Sequence, residues 1–124
     1  MFTIYRLERE HKTRKIGLGA YRFKSNFRIR LSSAHNNPDT HPNLHGDFDS
    51  QLISTDMHFA CQNTLRFHIW FGNELLEEAY MNGLTIAKYE VHNMLVSNSK
   101  RQCVFYKKDI INKEYLSLEE FNKS

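Results

Sequence analysis

The densest collection of chemistry-bearing residues is the stretch AHNNPDTHPNLHGDFD, where His35, His41 and His45 stand among Asp39, Asp47 and Asp49. Imidazoles and carboxylates together are the donor set of a divalent metal site. The spacing H-x5-H-x3-H fits no compact metal motif, however, and Asn, Asp and Pro gather in loops for turn reasons of their own. No metal is therefore expected. A second group is cationic: Arg22, Lys24, Arg28 and Arg30 interleave with Tyr21, Phe23 and Phe27. That composition can neutralise phosphates and stack bases, so nucleic acid is a possible partner. The same alternation also suits a strand that buries its aromatics and leaves a wet, cationic face.

Other chemistries lack their signatures. The chain has no GxGxxG, no GxxxxGK followed by Ser or Thr, no HExxH and no GxSxG. Dinucleotide-fold dehydrogenases, P-loop NTPases, zincins and α/β-hydrolases are thus poor fits. The two cysteines, Cys61 and Cys103, form no CxxC and read as reduced, buried thiols. Residues 1–31 hold nine Lys or Arg against Glu8 and Glu10, whereas the remainder holds eight basic and twelve acidic residues. Such a dipolar surface suits an anionic partner: nucleotide phosphate, nucleic acid or an acidic protein face.

These residues must be positioned by one domain spanning 1–124, because two cores would each be too small to bury enough apolar surface. The N-terminal MFTIYRLEREHKTRK lacks the apolar run of a secretion signal or membrane span, so a cytoplasmic protein without a membrane partner is expected. FTIYRL at 2–7 predicts a strand, and Gly17 and Gly19 a loop. Phe27, Ile29 and Leu31 alternate with polar residues and predict a second strand, followed by a long polar loop at 32–50. A strand at 52–61 leads to a helical segment at 63–82, capped by Asn63 or Thr64, bent or split at Gly72 and stopped at Gly83. Strands follow at 84–91 and 101–108, the latter with Cys103 and Phe105 on one face, and SNSK at 97–100 makes the turn before it. Ser117 and Glu120 form a capping box for a short terminal helix. The fold class is α+β, with a mostly antiparallel central sheet and one principal helical segment.

Three places carry a family likeness: the Tyr5–Arg6 pair on the first strand, the strand-then-helix unit MHFACQNTLRFHIWF, and the late unit AKYEV with SKRQCVF. Together they resemble the layout of the ADP-ribosyltransferase-like superfamily. That family sets an Arg or His on its first strand, a Ser, Thr or aromatic residue on a middle strand leading to a helix, and a Glu or Gln near the start of a late strand. The resemblance implies binding of NAD or a related nucleotide. Arg6 would hold phosphate or ribose through its guanidinium fork. Thr55, His58 and Phe59 are candidates for the middle position; alternation sets Thr55, Met57 and Phe59 on one face and Asp56 and His58 on the other. Catalysis would fall to Arg6, Thr55 and Gln102, and cofactor contacts to Tyr5, Arg6, Tyr21, His58 and Phe59. Gln102 departs from the usual glutamate. A neutral amide cannot stabilise the positive charge that develops on the ribose, so slow transfer or none is expected. The likeness further implies that the strands bearing Arg6 and Gln102 lie side by side around a nucleotide-sized hollow.

The pattern YR, HP, F, WF, YEV and Q-x-V-F also resembles small bacteriophage-encoded proteins. That likeness speaks to provenance more than mechanism; small size, the lack of any complete catalytic signature and the dipolar charge favour an alternative function in the host cytoplasm, a non-enzymatic inhibitor that binds a host defence or nucleic-acid-handling complex.

Overall fold

Phe2–Arg9 form β1, whose aromatic and β-branched residues suit a pleated surface. β1 pairs antiparallel with β3, Leu84–Val91, from Phe2 opposite Val91 to Arg9 opposite Leu84. β3 pairs on its other side with β6, Ile110–Leu116, which gives the order β1-β3-β6. A second antiparallel sheet has the order β2-β5-β4, built from Met57–Ala60, Cys103–Tyr106 and Leu95–Val96 in that order. One backbone bridge joins the sheets: Tyr5 N donates to Cys61 O at 2.9 Å, and Cys61 N donates to Tyr5 O at 2.8 Å. The computed structural model describes residues 1–11, 15–21, 26–37, 39–42, 47–48 and 57–123.

Strand alternation divides the core in two. Tyr5, Leu7, Leu84, Ile86 and Leu116 face the helices, against Phe27, Leu31, Phe67, Trp70, Leu76 and Phe121. Ile4, Ala87, Tyr89 and Val91 face the opposite way, against Ala60, Cys103 and Phe105 of the second sheet. β1 and β3 are thus covered on both faces, which is why Ile4 through Glu8 are all buried. Arg6 and Glu8 share the Ile4 face, so two charges enter the interior together.

Four α-helices occur among the described residues: α1, Asn26–Ala34; α2, Thr64–Phe71; α3, Asn73–Met81; and α4, Leu118–Asn122. The expected 63–82 segment is two helices. Asn63 caps the first by accepting from Arg66 N at 2.8 Å, and Gly72, at φ +78°, ends it and starts the second. Gly83 follows α3 at φ +86°, a left-handed position that favours glycine. The Ser117/Glu120 capping box is present at α4.

Three expectations are corrected. Residues 26–31 are helix: Phe27 and Leu31, four apart, are buried, whereas Ile29 is 69% exposed. Over six residues an alternating pattern and an i, i+4 pattern share positions, and packing against α3 decides between them. Arg30 then reaches Glu78 across that packing at 2.8 Å. The polar stretch consequently begins after Ala34 rather than at residue 32. Last, the strands of Arg6 and Gln102 are not neighbours. β1 is flanked by β3 and by Cys61 and Gly19, while β5 is flanked by β2 and β4, because the strands divide into two sheets.

Candidate functional site

Arg6 and Glu8 organise the first polar centre. Arg6 Nε donates to Glu8 Oε2 at 2.9 Å, Nη1 to the Phe59 carbonyl at 2.8 Å and Nη2 to the Gly17 carbonyl at 3.3 Å. Glu8 is wholly buried and also accepts from Gly17 N, Tyr89 Oη, Lys113 Nζ and Tyr115 Oη at 3.1, 2.7, 3.3 and 3.0 Å. A buried carboxylate is tolerable only with such saturation. The centre ties the Gly17 loop to β1 and β6. Tyr89, Lys113 and Tyr115 were not anticipated from sequence, since they come from β3 and the unforeseen β6, whereas Glu8 stands two residues from Arg6 on the same strand face, an alternation that could have found it.

Gln102 anchors a second centre. Its Nε2 donates to Asp47 Oδ2 and to the Pro42 carbonyl, both at 2.9 Å, and it is 1% exposed. Ser99 donates to the same carboxylate through its backbone N at 2.8 Å and its hydroxyl at 2.6 Å. The amide therefore fastens residues 42 and 47 to the turn at 97–102. Arg6 and Gln102 share no hydrogen-bond partner among the described residues.

The third centre gathers aromatic and imidazole rings between α1 and α2. His35 and His41 stack with centroids 3.8 Å apart and 12° between planes, and Trp70 stands edge-on to both. Tyr21 lies 6.1 Å from Phe59, which lies 5.3 Å from Trp70. Trp70 Nε1 can only donate, so Tyr21 Oη accepts from it at 2.9 Å, and Tyr21 Oη and His35 Nδ1 share a hydrogen bond at 2.6 Å. His41 Nε2 donates to the Trp70 carbonyl at 2.6 Å, satisfying an acceptor left open at the end of α2. His35 Nε2 is buried with no hydrogen-bond partner.

A family model described as Bacteriophage T4 Y00F protein matches residues 1–119. The chain belongs to the bacteriophage T4 Y00F protein family. No curated protein and no solved structure matches it. The match bears out the likeness to small phage proteins and gives no support to an ADP-ribosyltransferase relationship.

In this Y00F-family chain the sequence-derived residues are partly assembled. Arg6, Phe59 and Tyr21 are linked, through the Phe59 carbonyl and ring. Tyr5 instead lies in the helix-facing core, edge-on to Phe121 at 5.6 Å. His58 points to the face opposite Phe59 and packs 5.8 Å from Phe105. Thr55, His45, Asp49, Arg22 and Lys24 lie outside the described residues. Among those described, no three His, Cys, Asp or Glu side chains are placed to hold a metal, and no helix is long and apolar enough to cross a membrane.

Burial sets the electrostatics of the Y00F-family centres. Desolvation and the neighbouring His41 lower the His35 imidazole to about 4. Burial pushes the Tyr21 phenol above its usual range despite the Trp70 hydrogen bond, so it stays neutral. Burial also raises Asp47, but the hydrogen bonds from Ser99 and Gln102 outweigh it and the carboxyl ends below its usual value. Burial holds both free thiols protonated, with Cys103 pushed up to about 12 and Cys61 well above its usual value. None of these groups is tuned toward neutral pH, as an acid–base or nucleophilic catalyst requires.

Proposed function

We propose that this phage protein acts without catalysis, by binding a component of the infected cell. The observation that carries this function is the use made of Arg6 and Gln102. Each is buried and hydrogen-bonded within the fold, one to Glu8, Phe59 and Gly17, the other to Asp47 and Pro42. The residues best suited to a nucleotide thus serve to fix loops, which favours a rigid shape for recognition. A protein partner is favoured over nucleic acid, because Arg30 is engaged by Glu74 and Glu78 and its segment is a helix rather than a cationic strand.

A second function, binding of NAD or a related nucleotide, is supported by the assembly of Tyr21 and Phe59 with Trp70, His35 and His41. Trp70 is buried, but Tyr21 is exposed and Phe59, His35 and His41 are partly so, and such rings offer stacking surface for a planar heterocycle. Two measurements separate the functions. Affinity capture from infected-host extract, with crosslinking, is expected to yield one stoichiometric partner, and capture of none at moderate salt overturns the binding function. Calorimetric titration with NAD is expected to give no heat; saturable heat lost on Tyr21→Ala would instead establish the nucleotide.

A further inference from the structure

His35 and His41 stand at the two ends of a short turn. His35 follows α1, its backbone N donating to the Leu31 carbonyl at 2.9 Å, and Pro42, next to His41, is tied through its carbonyl to Gln102. Between them Asn37 gathers the chain: its carbonyl accepts from Thr40 N at 3.2 Å and His41 N at 2.8 Å, and its side chain accepts from Asp39 N at 2.9 Å. The turn is anchored at both ends and meets α2 through His41, which holds the Trp70 carbonyl. Under it, Trp70 is only 6% exposed.

His35, stacked flat on His41, keeps that contact in place. The stack suits neutral rings. In an imidazolium both nitrogens are donors, yet His35 Nε2 is buried with no hydrogen-bond partner, and the Trp70 carbonyl, which favours charge on His35, is already bonded to His41. A buried N–H without an acceptor, and a second imidazole at stacking distance, both oppose the proton. No carboxylate answers it. Tyr21, His41, Trp70 and Phe71 face His35, and Tyr21 stays neutral. Asp39, on the turn itself, is exposed, and neither imidazole pairs with a carboxylate among the described residues. Arg28, two turns before His35, and Arg66, one turn before Trp70 on α2, are themselves cations.

We infer that His35 to Pro42 form a strap over Trp70, latched by the stacked imidazoles and released when His35 takes up a proton. Release frees the Trp70 carbonyl and bares the indole, so the aromatic surface between α1 and α2 is covered at neutral pH and open in acid. Burial and His41 lower His35 to about 4 in the closed strap, against an ordinary 6.5 once it is free. The strap is therefore closed above 6.5 and opens as pH falls toward 4. It is independent of both functions proposed above.

Trp70 is the chain's single tryptophan, so its fluorescence reports on the strap. Acrylamide quenching of the full chain, followed from pH 7.5 to pH 4.0 beside far-UV circular dichroism, is expected to rise as pH falls while the dichroism holds constant. His35→Phe keeps a flat ring against His41 but takes up no proton, and its quenching is expected to stay at the level the natural chain shows at pH 7.5. His41→Ala removes the latch, so at pH 7.5 Trp70 should already be quenched as readily as in the natural chain at pH 4.0. Quenching that rises only where the dichroism collapses, an equal rise in H35F, or an H41A chain indistinguishable from the natural one at pH 7.5 overturns the strap.

Discussion

Arg6 and Glu8 stand two residues apart on one face of β1, and their side chains meet at 2.9 Å in the interior, where Glu8 has no solvent access. A strand sends positions i and i+2 to the same side, so the pair is local in sequence. Its other partners come from Gly17, Phe59, Tyr89, Lys113 and Tyr115, and they make the pair a junction of the whole fold.

Glu8→Ala leaves a buried guanidinium without its counter-charge. Breaking one side of such a pair costs about 3–5 kcal/mol. Urea denaturation is expected to show that loss for E8A and a smaller one for Lys113→Met, whose ammonium lies nearer the surface. Equal stability of E8A and the natural chain would show that the junction contributes nothing.

Gly17→Ala places a methyl 2.2 Å from the Arg9 carbonyl oxygen and 2.9 Å from Glu8 Oε1. The backbone must shift, and overpacking of this kind costs about 1–3 kcal/mol. The lowered midpoint should be accompanied by chemical-shift changes at Glu8 and Tyr89. At Gly72 the added methyl meets nothing within 4 Å, so Gly72→Ala is opposed only by its backbone conformation, φ +78° and ψ 156°, a region that is essentially glycine-only, at about 1–3 kcal/mol.

Gln102→Glu introduces the glutamate that the ADP-ribosyltransferase likeness calls for, yet it sets a second carboxylate against Asp47 Oδ2, which now lies 2.9 Å from the Gln102 amide nitrogen. The expected outcome is a lower melting temperature at pH 7, partly recovered at pH 5 as one carboxyl takes up a proton. No gain of label transfer from NAD is expected. Transfer by this variant would reinstate the catalytic role.

His35 makes stability depend on pH. Its imidazole falls from an ordinary 6.5 to about 4 in the folded chain, because burial and His41 oppose the charge. Between those values the unfolded chain binds a proton that the folded chain does not, so stability is full above about 6.5 and declines as pH falls toward 4. Melting at pH 7.5 and pH 5.0 should differ more for the natural chain than for His35→Phe. An identical pH response in the two would place the dependence elsewhere.

Several elements were legible because their determinants are local. The apolar run of β1, the Asn63 cap, the break at Gly72 and the Ser117/Glu120 box each depend on a few adjacent residues. The helix at Asn26–Ala34 was not legible, because Phe27, Ile29 and Leu31 satisfy a strand pattern until α3 supplies a partner for Phe27 and Leu31 alone. β6 was hidden for a related reason. INKEY presents charges, and only the buried Glu8 draws Lys113 inward.

The amino-acid order by itself determined the α+β class, the helix boundaries at 63 and 83 and the phage family likeness, since propensity, capping and motif reside in neighbouring residues. Only the tertiary structure decided what Arg6, Gln102 and the histidines do. Their partners lie as much as 60 residues away in the chain, as Pro42 does from Gln102. Whether a polar side chain reaches a ligand or closes on its own fold depends on which distant backbone arrives beside it.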